Sequence, residues 1–217
     1  MHVWRIVLKR AEALVNIEPR RNGETLQGAL NSCSSERGMT IAPPHPLYGG
    51  SMESPVVKQL AEASRRLDIS SLRFDWRGIG GSSGTPSGET ADADLDFGAA
   101  LDLISKVVSG CIVASGYSFG SLAALRAASH PRVGGLILVA PPAEYLAKHV
   151  LRSLGKPVLL ILGEYDEIAP PRKLQLLDDD GRFVQLNVIK NADHFFGKGL
   201  TEIGTEASIW LTGLFQK

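Results

Sequence analysis

Cysteine is scarce. Cys33 and Cys111 are the only two in 217 residues, which excludes a disulfide scaffold and fits a reducing compartment. Cys111 opens the apolar run Cys-Ile-Val-Ala, the setting of a buried, inert thiol. An excess of either charge is also missing. Lys plus Arg and Asp plus Glu stand at 23 each, so no global field draws nucleic acid or an anionic membrane. No window offers the roughly 20 consecutive apolar residues that a membrane span needs. The start, MHVWRIVLKRAEALV, is interrupted by Arg5, Lys9 and Arg10 and so lacks the apolar stretch of a secretory signal. Neither His-Glu-x-x-His nor Cys-x-x-Cys occurs, which leaves no recognisable zinc motif. Internal repeats and low-complexity tracts are absent too. What remains is the expectation of a cytoplasmic globular protein with one domain over residues 1–217. It should need no metal or cofactor, act on a small molecule, engage neither nucleic acid nor membrane, and exist as a monomer or homodimer.

What is present is an alternation of strands and helices. Hydrophobic residues make up 44% and charged residues 21%, ordinary values for a chain that buries a core. Val3 to Arg10 and Thr25 to Asn31 read as short strands, with turn signals at Pro19 and Asn22-Gly23 between them, and could form a hairpin. Thr40 to Ala42, Ser70 to Trp76, Cys111 to Ala114, Leu136 to Ala140, Val158 to Leu162 and Phe183 to Ile189 are further strands. The compact apolar runs among them suit strands covered on both faces. Helical spacing appears from Val56 to Leu67, from Phe97 to Val108, from Phe119 to Ser129 and from Leu200 to Phe215. Such alternation predicts an α/β fold, a mostly parallel twisted sheet with helices on both sides. The polar stretch Gly80 to Asp94 reads as a surface loop. Its neighbour Gly78-Ile79-Gly80-Gly81-Ser82 could suggest a phosphate loop, but no helix follows at once and the strand is not the first of the sheet.

The chemistry concentrates in three places. Gly116-Tyr117-Ser118-Phe119-Gly120 lies between a buried strand and a helix, the context in which G-x-S-x-G presents a serine nucleophile on a strained turn. A serine hydroxyl needs a base to take its proton. Of the five histidines, His194 follows the last strand, where a loop can carry it over the sheet's edge. Gly163-Glu164-Tyr165-Asp166-Glu167 follows another strand, and a Gly-x-x-Asp turn delivers Asp166 inward to orient the imidazole, while Glu164 and Glu167 read as solvated charges. The order Ser118, Asp166, His194 is that of an α/β-hydrolase triad.

An oxyanion needs preorganised N–H donors. Phe119, the residue after the nucleophile, supplies one. The second should come from Pro43-Pro44-His45-Pro46-Leu47-Tyr48-Gly49-Gly50; the prolines have no N–H, so Leu47 is favoured with Tyr48 close behind. His45 is assigned to shaping that loop through hydrogen bonds rather than to acting as a base.

Taken together, His45 to Gly50, Arg73-Phe74-Asp75-Trp76-Arg77-Gly78-Ile79-Gly80-Gly81-Ser82, Gly116 to Gly120, Asp166 and Asp193-His194-Phe195-Phe196 resemble the small, cap-less α/β hydrolases. Among these the chain is similar to the bacterial group bearing His-Pro-His-Pro-Leu-Tyr-Gly-Gly, described as dienelactone-hydrolase-like or peptidase-related. Pro43-Pro44 stands where that group has histidine and proline, Trp76 where phenylalanine is usual, and Ser118 where true dienelactone hydrolases have cysteine. The resemblance implies a serine hydrolase acting on ester bonds, with an acyltransferase or a non-catalytic binding protein as alternatives. About 17 residues between the strands ending at Ala140 and starting at Val158 leave room for one short helix but no lid domain. Substrate-binding residues are expected at Tyr117, Tyr145, Ile168 and Phe195, a mostly apolar set that favours an acyl or alkyl group.

Overall fold

The computed structural model describes residues 12–18, 23–177 and 183–216. Eight strands form one sheet: β1 (Ala13–Ile17), β2 (Leu26–Asn31), β3 (Gly38–Ala42), β4 (Ser70–Phe74), β5 (Ile112–Tyr117), β6 (Val133–Val139), β7 (Val158–Gly163) and β8 (Val184–Ile189). Their order is β1-β2-β4-β3-β5-β6-β7-β8. β2 runs antiparallel to both β1 and β4, and from β4 to β8 every pair is parallel. The helices are α1 (Pro55–Arg66), α2 (Thr90–Val107), α3 (Phe119–Arg126), α4 (Lys148–Ser153), α5 (Pro171–Leu174) and α6 (Leu200–Phe215). No helix among the described residues is long and apolar enough to cross a membrane.

Parallel strands need crossovers, and these place helices on both faces. The central strands β3, β4, β5 and β7 are therefore buried along their whole length, as the continuous apolar run Val158 to Leu162 foretold for β7. Parallel strands also carry their C-terminal loops to one edge of the sheet, the place where ligands bind in open α/β folds. The loops after β3, β5, β7 and β8 meet there.

The partner of β2 and the extent of one loop differ from expectation. The expected strand Val3 to Arg10 lies outside the described residues, and β2 pairs instead with Ala13–Ile17, in the register Ala13↔Leu30 to Ile17↔Leu26. Burial of Ile17 against an exposed Leu14 orients this short strand. The stretch Gly80 to Asp94 is a loop only as far as Glu89, because Thr90 already starts α2. Its polarity reflects an exposed first turn, where carboxylates suit the positive end of the helix dipole. Asp92 and the buried Asp96 both accept hydrogen bonds from Arg77. That clamp, with Gly78 N–H donating to the Ser83 carbonyl and Ser82 Oγ donating to the Asp75 carbonyl, ties the glycine-rich loop to the protein's own groups.

Candidate active site

Ser118 sits between β5 and α3 with φ 52° and ψ −118°, a conformation costly for any residue with a side chain. Close packing enforces it. A Cβ on Gly116 would lie 2.3 Å from the Gly120 backbone, and one on Gly120 would lie 2.3 Å from the Pro43 carbonyl oxygen. Ser118 N–H donates to the Val139 carbonyl at 2.8 Å, which fastens the turn to β6. The hydroxyl therefore stands at the start of α3, where the helix's first N–H groups have no partner within the helix.

The three polar side chains singled out in the sequence are brought together. Ser118 Oγ is 3.0 Å from His194 Nε2, and His194 Nδ1 is 2.8 Å from Asp166 Oδ2. Asp166 is 3% exposed and His194 6%, so water competes little for these bonds. The other carboxylate oxygen, Asp166 Oδ1, accepts N–H groups from Ile168 at 2.9 Å and Ala169 at 2.6 Å. One oxygen is thus fixed by backbone and the other left for the imidazole. Chemically, the row can move a proton off the serine oxygen and stabilise the imidazolium that results. Glu164 and Glu167 are exposed; Glu164 accepts the Asn191 N–H at 2.8 Å and bridges two loops.

Tyr117 donates its hydroxyl to the His194 carbonyl at 2.8 Å. Burial pushes its phenol well above the usual range, and the charges of Asp166 and Asp193 add to the effect, so it stays a donor. Nothing in the sequence distinguished this contact from ordinary pocket lining.

The β3 loop departs from expectation. His45 Nδ1 accepts the Leu47 N–H at 3.2 Å, capping a 3-10 turn over Pro46–Tyr48, and the Tyr48 N–H donates to the His45 carbonyl at 3.1 Å. Both donors expected for the oxyanion are therefore spent inside the loop, which corrects their assignment. The His45 N–H itself makes no hydrogen bond among the described residues, nor does that of Phe119. His45 does shape the loop, its ring lying between those of Tyr48 and Phe119 at centroid distances of 4.7 and 4.6 Å. Burial lowers its pKa, which keeps Nδ1 free to accept.

Ser118 and His194 open onto a cavity of about 390 Å³. Pro44, Tyr48, Pro55, Val56, Ile168 and Phe195 supply its apolar wall, together with Tyr117. Pro55 and Val56, from the start of α1, had no signal in the sequence beyond helical spacing. Tyr145 does not line this cavity; it projects from the β6–β7 connection and is 62% exposed. Among the described residues no Lys, Arg, Asp or Glu side chain lines the space. Among the described residues no group of His, Cys, Asp and Glu could hold a metal ion.

A strained serine, an imidazole and a carboxylate at the C-terminal edge of this sheet define a hydrolase of the α/β type. The chain belongs to the alpha/beta hydrolase family, whose model matches residues 45–208. Among solved structures it is similar to an alpha-beta serine hydrolase homologue from Coxiella burnetii, with 27% identity and a TM-score of 0.77 over 94% of this chain and 99% of that one. A serine hydrolase without a lid from Xanthomonas campestris shows 24% identity and a TM-score of 0.79 over 94% and 95% of the two chains. Est1E from Butyrivibrio proteoclasticus, solved with ferulic acid bound, shows 18% identity and a TM-score of 0.80 over 94% and 100%. The last two likenesses speak for the fold alone. Among the described residues no lid domain is built between β6 and β7, where residues 140–157 hold only the 3-10 turn Ala143–Tyr145 and the short α4.

Proposed function

We propose that this chain is a serine hydrolase that cleaves small, uncharged carboxylic esters through an acyl-enzyme on Ser118. The observation that carries the reading is the unbroken row Ser118 Oγ–His194 Nε2–Asp166 Oδ2, at 3.0 and 2.8 Å, opening onto an apolar cavity. In acylation Ser118 Oγ attacks the ester carbonyl carbon while its proton passes to His194 Nε2. The tetrahedral oxyanion collapses, the C–O bond to the alcohol breaks, and His194 returns that proton to the leaving oxygen. Water then repeats the sequence, giving its proton to His194 and releasing the acid with Ser118 restored. The N–H of Phe119 is one oxyanion donor and, with Leu47 and Tyr48 engaged, the N–H of His45 is the second.

The substrate class follows from the walls. A substrate carboxylate would meet no Lys or Arg side chain among the described residues of the cavity, and would lose hydration without compensation from them. This argues against a charged dienelactone and for an alkyl or aromatic acyl group. The ferulic acid in Est1E, an aromatic acid on the same fold, is consistent with that size and shape.

The test is a panel of p-nitrophenyl esters from acetate upward, run beside Ser118→Ala, with fluorophosphonate labelling of both proteins. Hydrolysis of the short esters and labelling of Ser118, both lost in the variant, are expected. Folded wild-type protein that neither labels nor turns over any ester would refute the reading, and a strong preference for emulsified long-chain lipids would refute the open, lidless cleft.

A further inference from the structure

We propose that Trp76 is a positioning residue for the oxyanion hole, its indole N–H fixing the direction in which the His45 backbone N–H points. The inference rests on the serine hydrolase reading above. Trp76 follows β4, is 1% exposed, and donates Nε1–H to the Pro44 carbonyl at 2.9 Å and, more weakly, to the Pro43 carbonyl at 3.3 Å. The described chain contains no cis peptide bond, so the Pro44–His45 unit is trans and its C=O and N–H point in opposite directions. Anchoring the Pro44 oxygen on a buried indole therefore turns the His45 N–H to the other side. Pro44 and His45 line the cavity beside Ser118 and His194, so that side is where substrate would lie.

Two further contacts make the arrangement hard to reverse. Gly50 packs so close that a Cβ there would sit 2.2 Å from the Pro44 oxygen, which confines that oxygen between the glycine and the indole. The Trp76 ring also meets the Phe119 ring edge-on at 5.7 Å, and Phe119 carries the other proposed donor. One side chain thus braces both N–H groups. The proline pair explains why bracing is needed, since Pro43 and Pro44 have no N–H with which to tie this stretch into the sheet. A phenylalanine in place of Trp76 would keep an aromatic ring there but could not hold the carbonyl.

The test is Trp76→Phe in the full chain, assayed with p-nitrophenyl butyrate. Removing an oxyanion donor outright costs about 10²–10³ in kcat; loosening one should cost about ten-fold. The expected result is that kcat falls about ten-fold while KM stays within about two-fold, because the donor acts on charge present only in the transition state. A tetrahedral boronate inhibitor should weaken in parallel with kcat, a change that a general packing defect would not produce alongside an unmoved KM. If Trp76→Phe fails to fold, site-specific incorporation of 3-benzothienylalanine in place of Trp76 keeps the ring shape and removes only the N–H, with the same loss expected. Unchanged kcat in either folded variant, or a loss carried entirely by KM, would overturn the proposal. Wild-type protein without esterase activity or Ser118 labelling would instead remove the reading on which it stands.

Discussion

Replacing Asp166 by Asn tests the acid's role most sharply, because the structure dictates which way the new amide must face. Asp166 Oδ1 accepts two backbone N–H groups, from Ile168 and Ala169, so an amide must put its carbonyl oxygen there or set N–H against N–H. Its NH₂ then occupies the place of Oδ2, 2.8 Å from His194 Nδ1. A donor now faces Nδ1, the neutral ring must carry its proton on Nε2, and Nε2 can no longer take one from Ser118. The side chain's shape and its backbone bonds are retained, so stability should fall by only about 1 kcal/mol. Catalysis should fall by about 10⁴, as when a triad aspartate is neutralised elsewhere. That factor is about 5 kcal/mol of transition-state stabilisation. The assays are kcat/KM on p-nitrophenyl butyrate, thermal melting, and ¹⁵N NMR of the His194 ring, which should show the proton on Nε2. Activity within about ten-fold of wild type in a folded variant would refute the argument. The acid would then have to be sought elsewhere, with Glu164, already turned to the Asn191 N–H, first to be checked.

Other outcomes follow from single contacts. Ser118→Gly should be inactive yet more stable by about 1 kcal/mol, since glycine accepts φ 52° without strain; an unchanged or lower melting temperature would contradict the strain. Gly120→Ala should lose activity and about 1–3 kcal/mol of stability, because the new Cβ would lie 2.3 Å from the Pro43 oxygen and 2.7 Å from that of Ala42, both backbone. His45→Ala should cost about 1 kcal/mol at pH 8 by removing the cap on the Leu47 N–H. Burial lowers the His45 pKa below 6.5, so the neutral ring's contribution is present above that value and is lost as pH falls through the lowered pKa. The gap in urea midpoint between wild type and variant should therefore shrink at low pH, and a constant gap would be the contrary result. Tyr117→Phe should lower kcat several-fold by freeing the His194 carbonyl, at a stability cost of about 1 kcal/mol; unaltered kcat would show that the loop holds without it.

What the sequence displayed was chiefly what depends on side-chain pattern. Continuous apolar runs at Leu136 to Ala140 and Val158 to Leu162 marked β6 and β7 because parallel strands are covered twice. The meeting of Ser118, His194 and Asp166 side chains was legible because each follows a strand, in the order Ser, Asp, His that a hydrolase triad would use. The unengaged N–H in the β3 loop was not legible, because every non-proline backbone carries the same N–H. Which one is free depends on where its neighbours' bonds go, and here His45 takes those of Leu47 and Tyr48 into its own turn. Tyr145 was misplaced for a related reason. An aromatic in a short connection reads as pocket lining, yet the backbone sets its direction, and the side chain points into solvent. The start of α2 was hidden by polar residues whose partner, Arg77, is distant in the chain.

The sheet order makes the meeting of the three groups a problem of reach. His194 follows β8, while Ser118 follows β5, three positions away along β5-β6-β7-β8. At about 4.8 Å between neighbours that is about 14 Å from strand to strand, so the β8 loop must fold back across β7 and β6. It is fastened along the way. Glu164 N–H donates to the Ile189 carbonyl and Tyr165 N–H to that of Ala192, which joins the ends of β7 and β8. Gly163 allows this closeness, since a Cβ there would lie 2.5 Å from the Asp193 oxygen. The far end is caught by the Tyr117 hydroxyl on the His194 carbonyl, and Tyr117 is the residue before Ser118. The histidine's backbone is thus held from the strand that leads to Ser118, while its ring is held by Asp166 from the loop after β7. Fixing backbone and ring from separate strands leaves the imidazole little freedom other than to face the serine oxygen, which is the preorganisation that the proposed proton transfer from Ser118 would require.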